Sequence, residues 1–172
     1  MLNSREPTFP EAVDHIVWSV LKGLHTCTPG KVESYDATQC KADVLPLVKR
    51  VYDDGTEVAF PVIPAVPVVW PRTSNAFLHL PLAAGDGVLL VFSERSLEQI
   101  LGQSSIGDPV SPGDARVFDL TDAVAIPGFY PFSMGPQGVD SNSLWVVYGN
   151  GSVKIDQQGQ VSINGTNLTI TA

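Results

Sequence analysis

Residues 144–172 read LWVVYGNG, SVKIDQQG, QVSINGT and NLTITA when cut at their turn residues. Apolar residues fall in pairs, Val146/Tyr148, Val153/Ile155, Val161/Ile163 and Leu168/Ile170. Between the pairs stand Gly, Asn, Asp and Gln, the residues of tight turns. Within each unit apolar and polar residues alternate, which is the period of a half-buried strand. The unit recurs about every seven or eight residues, a short repeat of strand plus turn. Two inward side chains per strand are too few for a core within one chain, and an isolated hairpin is marginal in water. The repeat therefore asks for partners, most simply copies of itself wound about a common axis as a thin β-prism. Val153, Ile155, Val161, Ile163, Leu168 and Ile170 are expected to point at that axis, with Lys154, Ser162 and Thr169 outward. A one-residue slip would expose every apolar side chain, so the strand period leaves no other choice.

The 172 residues give room for one domain of ordinary size and a small appendage. A net charge of -8 argues against a general nucleic-acid binder, which needs a basic face to neutralise phosphates. No run of eighteen apolar residues occurs, so no spanning helix is expected. The N-terminus carries Glu6 and no basic-then-apolar sequence, so a secretory signal is not expected either. Cys27 and Cys40 are the only cysteines. A hairpin turning near Asp36 and Ala37 puts them out of register, and they are expected as two reduced, buried thiols.

From the N-terminus, FPEAVDHIVWSVLKGL (9–24) carries Val13, Ile16, Val17, Val20, Leu21 and Leu24 at helical spacing, one continuous apolar stripe. Pro10, Glu11 and Asp14 suit a first helical turn and Lys22 the last. Such a helix either packs on its own domain or docks on a neighbouring subunit, and the sequence leaves both open. From Cys27 the texture turns to strands. CTPGKVESYD and ATQCKADVLPLV read as a long hairpin, and Asp53-Asp54-Gly55 as a second turn. VAFPVIPAVPVVWPR, with Pro61, Pro64, Pro67 and Pro71, reads as an edge strand, since proline cannot donate to a ladder. Phe77–Leu82 reads as a short strand, and VLLVF (88–92) as a strand buried on both faces. Ser96-Leu97-Glu98-Gln99 has the pattern of a capping box opening a short helix. Residues 102–115 read as a loop, and VFDLTDAVAIPGFYPF returns to the barrel. Short strands with Gly/Pro turns and one intervening helix favour an oligonucleotide/oligosaccharide-binding (OB) barrel.

Catalytic signatures are missing. His15, His25 and His79 have no metal-ligand spacing and read as structural or surface histidines. Asp53/Asp54 and Asp119/Asp122 read as turn formers rather than paired acids. No nucleophile elbow, zinc-protease helix or phosphate-cradling loop occurs. No enzyme activity, metal or cofactor is expected.

The succession CTPGKVESYD, ADVLPLV, VPVVWP, AAGDGVLLVFSERSLEQIL, FDLTDAVAIPGF and the final repeat resembles the central spike proteins of contractile bacteriophage tails. It looks most like the short membrane-piercing type with an N-terminal OB domain. After the N-terminal helix and arm read above (1–26), the resemblance, which runs from Cys27 onward, implies a mainly β chain: an OB-fold barrel (27–132), a linker (133–143) and an intertwined β-helix shaft (144–172). It implies a homotrimer in the virion, assembled in the host cytoplasm. The barrels would form a collar on a baseplate hub protein, and the shaft would meet the host outer membrane. The stripe Val13, Ile16, Val17, Val20, Leu21 and Leu24 is then a candidate hub-docking surface. Many such spikes end in a tip where histidine pairs bind iron; here no histidine follows His79. The metal is therefore not carried over, and a blunt tip or a separate capping protein is expected.

Two other classes compete. An OB module for carbohydrate or single-stranded nucleic acid would show basic and stacking aromatic residues together. Here Tyr35, Tyr52, Phe60 and Trp70 are scattered among apolar neighbours. A hydrolase would need a carboxylate pair in a cleft and an additional domain.

Overall fold

The computed structural model describes residues 8–169. Two compact units divide the chain, Met1–Tyr130 and Pro131–Ala172. In the first, helix α1 (Phe9–Lys22) precedes strands β1 (Cys27–Asp36), β2 (Lys41–Pro46), β3 (Arg50–Val51), β4 (Glu57–Val58), β5 (Ile63–Pro67) and β6 (Gly87–Phe92). A one-turn helix α2 (Glu98–Leu101) and strand β7 (Ala123–Pro127) complete it. The second unit holds a 3-10 turn (Phe132–Met134) and strands β8 (Ser143–Tyr148), β9 (Gly151–Asp156) and β10 (Val161–Asn164).

Five strands form one sheet in the order β5-β2-β1-β6-β7. Strand β1 organises it because its two halves serve different neighbours. Residues from Gly30 to Asp36 pair with β2, and residues from Cys27 to Lys31 pair with β6. A parallel bridge between Val68 and Ala125 joins the two outer strands, and the Val69 N–H donates to the Ala125 carbonyl at 2.9 Å. The sheet thus curls into a half-barrel. Alternate residues point inside: Val32, Val44, Val66, Val88 and Leu90 are fully buried, with Phe92, Ala123, Ala125 and Trp70 around them. Each Val or Leu buried in this way contributes about 1.5 to 3 kcal/mol. Gly30 lies in the wall, where a Cβ would stand 2.6 Å from Val44 Cγ1, so its missing side chain leaves the space that Val44 and Leu90 fill.

Several sequence expectations meet corrections here. Strand β6 is buried on one face only: Val88, Leu90 and Phe92 are inside, while Leu89 and Val91 are half-buried. An alternating burial pattern wins because nothing layers over the outer face of the half-barrel. Residues 77–82 form no strand; Phe77 makes only an isolated bridge to Arg72. Leu97, not Ser96, caps α2, and its N–H is taken by the Asp122 carboxylate at 3.0 Å. Cys27 is exposed and Cys40 half-buried, both as free thiols, because Cys27 opens β1 at the sheet's end and Cys40 sits in a turn at φ 51°. Pro64 and Pro67 lie in β5 at the sheet's edge, where the missing N–H groups cost least.

The second unit shows an antiparallel meander in the order β10-β9-β8. No β-helix is formed among the described residues. Two-residue closure at Gly149-Asn150, with Gly149 at φ 55°, folds β8 directly onto β9. At the next turn the Asp156 carboxylate accepts the N–H groups of Gln158 (3.0 Å) and Gln160 (2.8 Å). Residues 167–169 lie outside any strand, so Leu168 begins no fourth strand there, and Ile170 falls outside the described residues.

Candidate functional site

Among the described residues, β8–β10 and α1 each leave an aligned apolar face uncovered. In the meander, Val153 stands opposite both Val146 and Ile163, and Ile155 opposite both Leu144 and Val161. Residues directly opposite across antiparallel strands share a face. Leu144, Val146, Tyr148, Val153, Ile155, Val161 and Ile163 therefore make one apolar face. Even on the central strand Val153 and Ile155 are 37% exposed, and Val161 and Ile163 on β10 are 58% exposed. Leu168, just past β10, is exposed as well.

The other face is mixed, with Trp145 and exposed Val147 beside Lys154, Ser152 and Ser162. Lys154 lies opposite Trp145 and Ser162, and its Nζ sits 4.5 Å from the Trp145 ring centre. The same ammonium donates to Asp140 Oδ2 at 2.9 Å. That hydrogen bond first, and then the Asn142 N–H, hold the Asp140 carboxyl down at about 2. The register thus places Val153, Ile155, Val161 and Ile163 together and puts Lys154 and Ser162 on the reverse.

Helix α1 carries the second surface. Its start is closed by Thr8, whose N–H and Oγ donate to Glu11 Oε2 at 2.6 and 2.8 Å. Among the described residues of α1 none is buried. Lys22 is ion-paired with Asp53, on the turn between β3 and β4. The Lys22 hydrogen bond and charge hold the Asp53 carboxyl low, and His15 adds to the effect. His15 and Lys22 lie two turns apart on one side of the helix. Hence α1 turns its polar side toward its own domain, and Val13, Ile16, Val17, Val20 and Leu21 point away from that tether. All five are exposed, as is Leu24 beyond the helix end.

A hollow of about 400 Å³ lies between the end of α1, the start of β1 and β3, and includes Lys22, His25, Cys27, Arg50 and Tyr52. His25 packs against Phe60 and Phe92 at 5.6 and 5.4 Å, and Arg50 lies over the Tyr52 ring at 5.0 Å. His79 meets the Tyr35 hydroxyl at 3.1 Å and the edge of Trp70 at 5.2 Å. Arg116 gathers the loop after β6, donating to Asp114 (2.7 Å), Ser96 (2.7 Å) and Thr121 (3.0 Å), with buried Asp122 at 3.6 Å. Asp119 is engaged by the Thr121 N–H and hydroxyl, which hold its carboxyl low. Asp119 and Asp122 are thus turned to separate backbone N–H groups, those of Thr121 and Leu97. Among the described residues no three His, Cys, Asp or Glu side chains gather as metal ligands.

The family model described as the phage protein Gp138 N-terminal domain matches residues 28–128. The chain belongs to this family. The match runs from the second residue of β1 to the residue after β7, so the Gp138 N-terminal domain is the half-barrel itself, and α1 and β8–β10 lie outside it. This is a phage protein, and the family points to a structural component of the virion. A search of curated proteins returned no match.

Periodicity in the sequence picks out Val146, Tyr148, Val153, Ile155, Val161 and Ile163 of the meander and the aliphatic stripe of α1, but not Leu144. It missed the Arg116 cluster, whose members are scattered from Ser96 to Asp122 without a repeating interval. It also missed the direction in which α1 faces, since periodicity defines a stripe but not what lies across from it.

Proposed function

We propose that this chain is the central spike of a contractile phage tail, a homotrimer that pierces the host outer membrane when the sheath contracts. The observation that carries the reading is the unpaired apolar face of β8–β10, seven aliphatic and aromatic side chains aligned by register and left exposed. Monomeric proteins rarely leave a contiguous apolar patch of this kind in water. Three meanders closing about a common axis would bury it, leaving Lys154 and Ser162 outside. A closed cyclic assembly suits a repeated patch, because every copy then presents and receives the same surface. The family supplies the phage setting.

In this reading the half-barrel is an OB-type collar: five strands, two of its ends joined only by the Val68–Ala125 bridge, fit a partly open barrel. The collar sits on a baseplate hub protein, and the shaft is built from β8–β10 of three copies, with Val153, Ile155, Val161 and Ile163 turned to the common axis. No catalysis, metal or cofactor is involved. The function is mechanical, to keep shape under load.

The test is the native mass of the full-length protein at micromolar concentration. Three copies are expected. A monomer that keeps its sheet signal would overturn the proposal.

A further inference from the structure

We propose that the α1 helices of three copies pack together through their apolar stripes as a short parallel three-helix coil, a second clamp on the trimer. This inference rests on the trimeric reading above. Its first support is orientation. The Lys22–Asp53 ion pair brings the polar side of α1 to the β3–β4 turn, and the stripe lies on the opposite side of the helix. A helix of 14 residues is marginal in water without a packed face.

The second support is spacing. Within the helix Val13, Val17 and Val20 are separated by four and three residues, the interval of a heptad core, with Ile16 and Leu21 widening it on either side. Branched residues at both core positions favour three strands over two. Cyclic symmetry about one axis makes the three helices parallel.

Area and charge decide the occupant. Six half-exposed aliphatic side chains offer on the order of 300 Å² of apolar surface. A stable interface between separate proteins needs about 800 Å² from each partner. The stripe is thus too small to capture an independent protein, yet sufficient to add to copies already held through their β8–β10 faces. Among charged residues only Asp14 borders the stripe; Glu11, His15 and Lys22 lie on the far side. A partner of opposite charge has nothing to read there, and identical copies have little to repel them.

The experiment is disulfide trapping in the full-length chain, with Cys27→Ser and Cys40→Ser removing the native thiols. Val20→Cys is placed in the core of the stripe and Ser19→Cys on the polar side. Neither position is buried in the protomer, so both variants fold. Under mild oxidation Val20→Cys is expected to join about two chains in three as covalent pairs, the third of each trimer lacking a partner. Ser19→Cys is expected to join few. A trimer by native mass in which Val20→Cys gains nothing over Ser19→Cys overturns the three-helix coil and leaves the spike standing. A monomer by native mass overturns both. As a second readout, Val17→Asp should lower the melting midpoint of the trimer while Ser19→Asp does not; equal midpoints count against the coil.

Discussion

Asp43 holds the backbone of Ala65: its Oδ1 accepts the Ala65 N–H at 2.9 Å, while Oδ2 accepts the Ser34 hydroxyl at 2.8 Å. Both neighbours lie at irregularities of the sheet. The β1–β2 register shifts between Val32 and Ser34, and the β2–β5 register between Ala42 and Val44. Ala65 itself sits at φ 56°, which an L-residue adopts at a cost of roughly 1 to 2 kcal/mol. One carboxylate therefore satisfies the N–H that the β5 irregularity withdraws from the ladder and ties it to the Ser34 side chain beside the β1 irregularity, and the Ala65 N–H is the main cause of its lowered pKa. Asp43→Ala should lower the melting midpoint of the half-barrel by several degrees, read by circular dichroism. Ala65→Gly should leave it unchanged or raise it, because glycine accepts the left-handed backbone. The opposite ranking of the two variants would show that the bulge is held by something else.

Gly87 opens β6 beneath the chain leaving β7. Its carbonyl accepts the Gly128 N–H at 3.1 Å, and a Cβ at this position would collide with the Phe129 carbonyl. A backbone atom cannot rotate aside as a flexible side chain can. Gly87→Ala should destabilise the half-barrel by about 1 to 3 kcal/mol through displaced backbone. Gly107→Ala, where a Cβ meets open space, is the matched control. Chemical denaturation of both variants checks this; equal midpoints would mean that the strand end shifts freely.

Local chemistry was legible in the sequence wherever one residue decides it. The proline-bearing segment was readable as an edge strand, since proline at 64 and 67 excludes a central position. The apolar pairs from Val146 to Ile163 were readable too, because a period of two assigns faces without knowledge of the neighbours. What strand period does not encode is what covers a face. VLLVF looks doubly buried in sequence, yet Leu89 and Val91 are half-buried because no layer lies over them. The same gap separates the apolar stripe of α1 from its surroundings: Lys22 meets Asp53 across 31 positions of sequence, a contact that periodicity does not encode. Residues 144–164 suggested intertwining, but their short turns let neighbouring strands of one chain find each other first.

Asp140 offers a pH test of the Lys154 side of the meander. Its carboxyl is lowered to about 2 by Lys154 foremost, against an ordinary value of about 3.9. A depressed carboxylate pKa means that the contribution of the pair is complete above the ordinary value. It is lost as pH falls through the folded value, here between about 4 and 2. Carboxyl chemical shifts followed by NMR should show Asp140 titrating near the lower limit. Lys154→Met should move it back up toward the usual range. An Asp140 that titrates normally in the unaltered protein would mean that Lys154 spends its time over Trp145 without the carboxylate.

Ile163→Asp separates a lone meander from an assembled one. In the isolated chain Ile163 is 58% exposed, so a carboxylate there would meet water and cost little. Within the proposed trimer the same change brings three carboxylates into a dry interior, at several kcal/mol each. Neighbouring Ser162 points to the other face, so Ser162→Asp adds equal charge without that burial. Native mass should therefore show Ile163→Asp as monomer and Ser162→Asp as trimer. Circular dichroism should retain the half-barrel in both, because its core of Val32, Val44, Val66, Val88 and Leu90 belongs to the other unit. Should Ile163→Asp persist as a trimer with an unchanged melting midpoint, the apolar face of β8–β10 is not the surface on which the copies meet.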